Sequence, residues 1–448
     1  MYNKHYYFIG IGGIGMSGLA LIALEKGAMV SGSDAASSCI TNRLQEKGAK
    51  IFIGHKKEQI PLNAIVIYNS AISPDNPELM FAKLHKLSIL HRSDLLALFM
   101  QSQKALLVSG THGKTTSSSL LTHVLLEEEM QPSFAIGGFI CGLNANAGHG
   151  KGSYFIAEAD ESDGSFFKYT PFGSIITNID CDHLDYWQTM DGLVAGFQRF
   201  INAIISLEHF FWHGDNLWLS KIADKGYSYG FNKKNALFIE SHRQDAWKNI
   251  FTIYFENKCY SEIEIPIIGR HNILNASAVF GLCLKLGIAE EKIRNAFMSF
   301  KGVNRRLEYK GELKGIVFYD DYAHHPTEIL TTLRAIKYAV GSKRVVLAFQ
   351  PHRYSRTLAC LKEFKIAFEA ADVVVITDIY AAGESPIKEV DEERLLREIN
   401  KGAKRPAYHF PRGQLSHQLV KILETGDCLV TMGAGDISNI AYDIMENL

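Results

Sequence analysis

The sequence predicts a parallel α/β protein built from several domains, and three observations carry that reading. Apolar, β-branched runs at 6–11, 64–68, 105–109, 154–157, 174–179, 315–319, 345–349, 373–377 and 428–432 are each followed by a glycine or polar loop and a helix-like stretch. That alternation is the signature of buried parallel strands with helical crossovers. The 448 residues exceed what one core holds when domains run to roughly 100–200 residues, so three domains is the working number. Two of the runs end in nucleotide-type loops, at Gly10 and Gly110, too far apart for one sheet to own both. The first boundary therefore falls near 101–104. The second falls near 309–313, where Lys310-Gly311-Glu312 leads into a fresh strand pattern, giving domains 1–103, 104–309 and 310–448.

Lys and Arg total 47 against 48 Asp and Glu, a net charge of −1, so the balance carries no bias toward polyanions and no nucleic-acid partner is implied. The seven cysteines are scattered without a C-x-x-C pair or zinc-like spacing. That pattern fits a reducing cytoplasm with buried apolar thiols.

The first run belongs to an uncharged stretch, 6–24, that resembles a membrane span or signal-peptide core. Five glycines and Ser17 break it, so a strand, a loop and a helix are expected and no membrane partner. Gly10-Ile-Gly12-Gly13-Ile14-Gly15 matches G-x-G-x-x-G, with Asp34 lying 19 residues past Gly15. The match alone is weak. It suits a dinucleotide, the diphosphate of another nucleotide such as a UDP-sugar, or tight strand–helix packing. A second nucleotide loop elsewhere favours the UDP-sugar.

That second loop is Gly110-Thr111-His112-Gly113-Lys114-Thr115-Thr116, between an apolar strand and a helix-like run from 117 to 129. Backbone N–H groups of such a loop converge on phosphate oxygens at a helix N-terminus. Lys114 then bridges the β- and γ-phosphates of ATP and the Thr115 hydroxyl ligates Mg²⁺. The spacing departs from G-x-x-x-x-G-K-[ST], whose first glycine falls here on Val108.

Glu158 closes the run 154–157 and stands at a strand's carboxyl end, where open α/β sheets meet their ligands. A carboxylate there suits Mg²⁺. Asp160, Glu161 and Asp163 behind it read in part as a solvated acidic loop. His183, flanked by Asp182 and Asp185 just past another strand, is a metal candidate more than a structural histidine. Asn272 opens a helix in 269–276, where its amide offers donor and acceptor to an adenine edge or serves as a plain N-cap. Arg305 and Arg306 precede the third domain, placed to reach phosphate across a cleft. Segments 319–328 and 349–357 follow strands of that domain, and Arg353 and Arg356 suit bidentate capture of a small carboxylate.

Taken in order, these motifs resemble the Mur ligase family over essentially the whole chain. The elements that carry the resemblance are 10–18 (GIGGIGMSG) with 31–34, 69–73, 110–116 (GTHGKTT), 158–163, Asp182-His183, His271-Asn272, 320–328 and 351–357. The resemblance implies a Rossmann-like N-terminal domain, a central P-loop ATPase-like domain and a Rossmann-like C-terminal domain. It implies that ATP phosphorylates the lactyl carboxylate of UDP-N-acetylmuramate and that the amine of L-alanine attacks the acyl phosphate, in the cytoplasmic synthesis of peptidoglycan. Lys114, Glu158 and His183 are then catalytic, with two Mg²⁺ held by Thr115, Glu158 and His183. Gly110 to Thr116, Asn272, Arg306 and Asp321 bind ATP, the last through its ribose. Gly12, Gly13, Ile14, Gly15, Asp34, Ser70 and Ala71 bind the UDP-sugar, and His352, Arg353 and Arg356 bind alanine. The branch of the family that recycles whole tripeptides differs at the first glycine loop and in the 352–357 segment. Several members carry a carbamylated lysine soon after Asp-His. No lysine lies between His183 and Ser220 here, the nearest being Lys168 and Lys221, so no carbamate is expected.

Overall fold

A computed structural model describes residues 4–402 and 405–447. It divides into two compact units, Met1–Glu240 with Ile253–Ser261 and Leu274–Lys301, and Ser241–Thr252 with Glu262–Ile273 and Gly302–Leu448.

The first unit opens with strands β1 (His5–Ile9), β2 (Met29–Asp34), β3 (Lys50–Ile53), β4 (Ile65–Tyr68) and β5 (Ile89–His91), linked by helices α1 (Ile14–Glu25), α2 (Cys39–Glu46), α3 (Pro77–Leu84) and α4 (Arg92–Met100). The sheet runs β3-β2-β1-β4-β5 and every pair is parallel. Tyr6 to Ile9 are buried, which is why β1 reads as a continuous apolar run. Strand β2 escapes that rule because its buried centre is Ser31-Gly32-Ser33. A Cβ at Gly32 would lie 2.4 Å from the Phe8 carbonyl oxygen, so close strand approach has replaced side-chain bulk. The uncharged 6–24 stretch is thus strand, loop and helix. Chain order reverses between β1 and β4, so their carboxyl-end loops flank a crevice of the kind that takes ligands.

The same unit continues through β6 (Lys104–Ser109), α5 (Lys114–Glu127), β7 (Ser133–Ile140), β8 (Ala145–Gly148), β9 (Tyr154–Ala159), β10 (Gly173–Ile176), α6 (Leu184–Trp187), α7 (Met190–Asn202), β11 (Phe210–His213), α8 (Leu219–Ile222) and β12 (Tyr227–Gly230). Its strand order is β12-β11-β10-β6-β9-β7-β8. All pairs are parallel except β7 with β8. Strand β6 lies between β9 and β10, which brings the three loops after them to one edge. Helix α7 buries Leu193, Gly196, Phe197, Phe200 and Ile201, an i, i+3, i+4, i+7, i+8 stripe. A single apolar core contains residues from both sheets and their helices, including Leu19, Phe99, Leu107, Phe166 and Phe197. Helix α1 is further tied down where Asn146 Nδ2 donates to the Ile14 carbonyl at 3.0 Å.

Strands β13 (Leu237–Asp245), β14 (Lys248–Phe255) and β15 (Lys258–Ile265) and helices α9 (Arg270–Lys285) and α10 (Glu290–Ser299) follow. The second unit then holds β16 (Glu308–Leu313), β17 (Ile316–Asp321), α11 (Pro326–Val340), β18 (Val345–Phe349), α12 (Tyr354–Ala359), α13 (Phe364–Ala367), β19 (Val373–Ile376), α14 (Glu392–Asn400), β20 (Tyr408–His409), α15 (Leu415–Ile422), β21 (Cys428–Met432) and α16 (Ile440–Asn447). The sheet order is β16-β17-β21-β18-β19-β20, parallel apart from the β16–β17 hairpin. Successive residues of β18 alternate between two cores: Val345, Leu347 and Phe349 face one, Val346 and Ala348 the other.

All nine predicted runs are strands, and the α/β class holds. The cysteine reading needs correction: none of the seven cysteines is in a disulfide, but only Cys283, Cys360 and Cys428 are buried, while Cys39, Cys181 and Cys259 are exposed. Their neighbours decide this, since Cys39 starts a surface helix and Cys181 sits in a loop. Among the described residues no helix is long and apolar enough to cross a membrane.

Candidate active site

The crevice of the first sheet is built by backbone. Gly10 and Ile11 N–H groups both donate to the Ser33 carbonyl at 2.9 Å, turning the chain sharply off β1. Gly12 N–H donates to Asp34 Oδ2 at 2.7 Å, and a Cβ on Gly12 would come within 2.9 Å of that oxygen. Asp34 therefore closes the glycine loop. Helix α1 starts at Ile14 without a side-chain cap, so its first N–H groups and dipole are left to an anion. Beside them lies a cleft of about 340 Å³ whose lining includes Gly13, Ile14, Gly15, Ser70, Ala71 and Arg92. Ser162 and Asp163, from the loop after β9, line it too. Ser70 Oγ lies 3.2 Å from His91 Nε2 and 3.4 Å from Asp163 Oδ2. Arg92, Ser162 and Asp163 are cleft residues that sequence reasoning did not single out as binding groups. Strand β5, only three residues long, gave no signal that Arg92 follows a strand.

The second loop is strapped from behind. Gly110 adopts φ +125°, and a Cβ there would lie 2.2 Å from Thr177 Oγ1, so glycine is required twice over. Asn178 Oδ1 accepts from His112 N–H at 2.9 Å, and Asn178 Nδ2 donates to the His112 carbonyl at 3.0 Å. Asp180 N–H donates to Thr111 Oγ1 at 2.9 Å, and His112 Nε2 lies 3.1 Å from Asp180 Oδ2. The loop after β10 thus fixes this second glycine loop. Gly113, in the left-handed region, hands over to α5 at Lys114, with Thr115 buried and Thr116 half-buried.

Lys114 Nζ donates to both Glu161 oxygens, at 2.8 and 3.0 Å, and to the Gly110 carbonyl at 2.6 Å. Burial works against its charge, but Glu161 and Asp160 outweigh burial and raise the ammonium above its ordinary pKa. Glu161 is fully buried, and burial pushes its carboxyl up against the pull of Lys114. The reading of Glu161 as part of a solvated loop is therefore overturned, because the chain turns it inward onto the lysine. Asp160 is half-buried; burial alone would raise its carboxyl, but Lys114, the Ser162 N–H and Arg92 hold it below the usual range.

Glu158 accepts from Gly137 N–H at 2.7 Å and from Ser118 Oγ at 3.3 Å, both on Oε1. Ser118 also bonds the Thr115 carbonyl, which places Glu158 beside the first turn of α5. Its Oε2 makes no hydrogen bond among the described residues, and with the Thr115 hydroxyl it offers hard oxygens of the kind Mg²⁺ selects. His183 sits at φ +57° with its backbone N–H donating to Asp182 Oδ1 at 2.8 Å and its ring Nε2 3.6 Å from Asp182 Oδ2. Lys114, Thr115, Glu158 and His183 are thus gathered on one sheet edge.

In the second unit, Asn272 is not an N-cap. It is the third residue of α9, and its Nδ2 donates to the Ile268 carbonyl at 2.8 Å. Asp321 is buried; its oxygens accept from Leu307 and Ala323 N–H groups at 2.6 and 2.8 Å, and burial pushes its pKa up to about 6 against Arg306. Arg306 lies over the Tyr322 ring at 5.2 Å. Arg305 turns inward instead of reaching for phosphate. Its Nη2 donates to the Gly433 and Gly435 carbonyls at 2.6 and 3.0 Å, fixing the turn after β21. His352 stacks on Tyr380 at 5.6 Å and lies 3.3 Å from Arg356 Nη1 through Nδ1. Burial, then Arg356 and Arg353, lower its pKa to about 4, so the ring is neutral at physiological pH. Arg353 is paired to Glu384, which also accepts from Ser355.

Comparison with known proteins matches three consecutive domain descriptions: Mur ligase family, catalytic domain, over residues 5–104; Mur ligase middle domain, over 108–283; and Mur ligase, glutamate ligase domain, over 305–435. A UDP-N-acetylmuramate–L-alanine ligase of Protochlamydia amoebophila is 47% identical over 445 residues, covering 99% of this chain and 98% of that protein. One from Carboxydothermus hydrogenoformans is 40% identical, covering 98% and 96%. A bifunctional MurC/Ddl enzyme of Chlamydia caviae is 43% identical, and there the match covers 99% of this chain but 55% of the relative. Among solved structures, the UDP-N-acetylmuramate-alanine ligase MurC of Thermotoga maritima superposes with a TM-score of 0.85 at 28% identity, covering 99% and 98%.

Proposed function

The chain belongs to the Mur ligase family, and on that premise we propose that it joins L-alanine to UDP-N-acetylmuramate in an ATP-dependent step of peptidoglycan synthesis in the cytoplasm. One structural observation supports the reading above the others. The loop 160–163 faces Lys114 through Asp160 and Glu161 and lines the sugar-nucleotide cleft through Ser162 and Asp163, so donor and acceptor sites adjoin.

A carboxylate is a poor electrophile because amine attack on it would have to expel oxide. Its oxygen attacks the γ-phosphorus of ATP, the bond to the β-phosphate oxygen breaks, and ADP leaves. The amine of L-alanine then adds to the acyl-phosphate carbonyl, and the tetrahedral intermediate expels phosphate. Phosphoryl transfer asks for positioning and neutralised charge, which Lys114 and the N–H groups at the start of α5 supply. Thr115 and Glu158 would hold one Mg²⁺ and His183 a second. Such ions neutralise the charge building on the phosphates. Gly12 to Gly15 with Ser70 and Ala71 take the UDP-sugar, and Asp34 serves them by holding the loop. Asn272, Arg306 and Asp321 are assigned to the nucleoside end of ATP. His352, Arg353 and Arg356 are assigned to alanine. The division 1–103, 104–309 and 310–448 follows the same assignment.

ADP formation should require both UDP-N-acetylmuramate and a small L-amino acid. With oxygen-labelled substrate carboxylate, one label should appear in the released phosphate. Unlabelled phosphate would refute the acyl-phosphate route, and hydrolysis indifferent to the amino acid would point instead to a nucleotide-gated binding protein.

A further inference from the structure

We propose that Arg92 binds the lactyl carboxylate of the sugar nucleotide and thereby selects the substrate and sets its oxygen for phosphoryl transfer; this rests on the reaction assigned above. Arg92 lines the cleft beside the glycine loop, its Nη1 3.4 Å from where a Cβ on Gly15 would lie. Its guanidinium makes no hydrogen bond among the described residues, and the nearest paired carboxylate oxygen, Asp160 Oδ2, stands 3.9 Å away, beyond hydrogen-bond reach. Five N–H donors on a side chain about 29% exposed are therefore available to a ligand in the cleft, which is also lined by Asn69, Ser70, Ser162 and Asp163.

The position gains nothing for its helix. Arg92 is the first residue of α4, where a cation opposes the helix dipole, and the helix is already capped by His91 and Asp94. Its charge is accounted for by a ligand. The substrate brings two kinds of anion, a diphosphate and a carboxylate. The diphosphate is assigned to the uncapped start of α1. A carboxylate is planar and matches the guanidinium fork, which a tetrahedral phosphate does less selectively.

Location separates the two as well. The Asp160 carboxylate lies between the cations, 3.9 Å from Arg92 Nη2 and 4.0 Å from Lys114 Nζ. Arg92 therefore holds the side of the cleft nearest the lysine of the phosphoryl donor, where the accepting oxygen must come. Lys114 fixes the donor, Arg92 the acceptor, and Asp160 spaces them.

The test compares UDP-N-acetylmuramate with UDP-N-acetylglucosamine, which has the same uridine and diphosphate but no lactyl carboxylate. Dissociation constants are measured by calorimetry for wild type, Arg92→Gln and Arg92→Lys, alongside turnover. Loss of a charge-assisted contact should weaken the muramate ligand roughly 10- to 100-fold in Arg92→Gln. The glucosamine ligand should change by less than about threefold, which also shows that the cleft is folded, and Arg92→Lys should fall between. KM for ATP should stay put. Equal weakening of both ligands would make Arg92 a diphosphate or scaffold residue, and no weakening of either would leave it without a role; each overturns the proposal. Wild type that makes no ADP from UDP-N-acetylmuramate and alanine would sink the functional reading itself and this assignment with it.

Discussion

Lys114 and Glu161 form one buried pair to which the proposed reaction gives a part in chemistry and stability together. Removing the ammonium in Lys114→Ala deprives the γ-phosphoryl group of its cation, for which a turnover loss on the order of 10²–10³ is expected. The same change leaves Glu161 buried without its partner, destabilising the fold by roughly 3–5 kcal/mol. The double variant Lys114→Ala/Glu161→Gln should recover much of that stability and none of the turnover, read from urea midpoints and ADP formation. Recovery of activity would contradict the role given to Lys114. Asp321 supplies a pH prediction. Its folded pKa, about 6, lies above its unfolded value, so the buried charge is a liability above pH 6 that protonation relieves as pH falls. Between pH 7.5 and 5 wild type should gain roughly 1 kcal/mol relative to Asp321→Asn. A pH-independent difference in unfolding free energy would show that the carboxyl is not so perturbed.

At the scale of elements, both glycine loops join a parallel strand to a helix whose N-terminus has no side-chain cap, at Gly13 and at Gly113. The two are held differently. Asp34 grips the first through one backbone N–H, while Thr177, Asn178 and Asp180 strap the second. Gly12→Ala should therefore act locally, because its Cβ would meet Asp34 Oδ2 at 2.9 Å and Thr41 Cγ2 at 3.0 Å. Overpacking of about 1–3 kcal/mol should raise KM for UDP-N-acetylmuramate roughly tenfold or more and leave KM for ATP unchanged. Equal effects on both substrates would mean that the first loop is not a separate binding element.

For the whole molecule, the metal site proposed around Glu158 and His183 bears on which amino acid is added. Neither lysine nearest to the Asp-His pair looks available for carbamylation: Lys168 Nζ pairs with Asp94 at 2.7 Å, and Lys221 lies over the Trp218 ring at 4.6 Å. Activity should be indifferent to removal of dissolved CO₂ and bicarbonate, and the intact mass should show no carbamate. His183→Ala should lower turnover on the order of 10²-fold, since His183 would then carry much of the second ion's protein contact. Activity restored by bicarbonate would overturn this account.

Sequence alone determined the α/β class, the nine apolar strands and both glycine loops, because buried parallel strands must be apolar on both faces and phosphate loops must lack Cβ atoms. Local pattern is the physical cause of each of these features, so each can be read locally. It did not reveal β2, whose buried Ser-Gly-Ser centre depends on contact with Phe8, or the short β5 that delivers Arg92. Tertiary structure alone decided that Glu161 turns inward to Lys114 while Asp163 faces the cleft, that Arg305 braces a backbone turn, and that Asn272 sits inside its helix. Those outcomes depend on partners 47 and 128 residues away, as for Glu161 on Lys114 and Arg305 on Gly433, and no periodicity encodes a partner at such a distance.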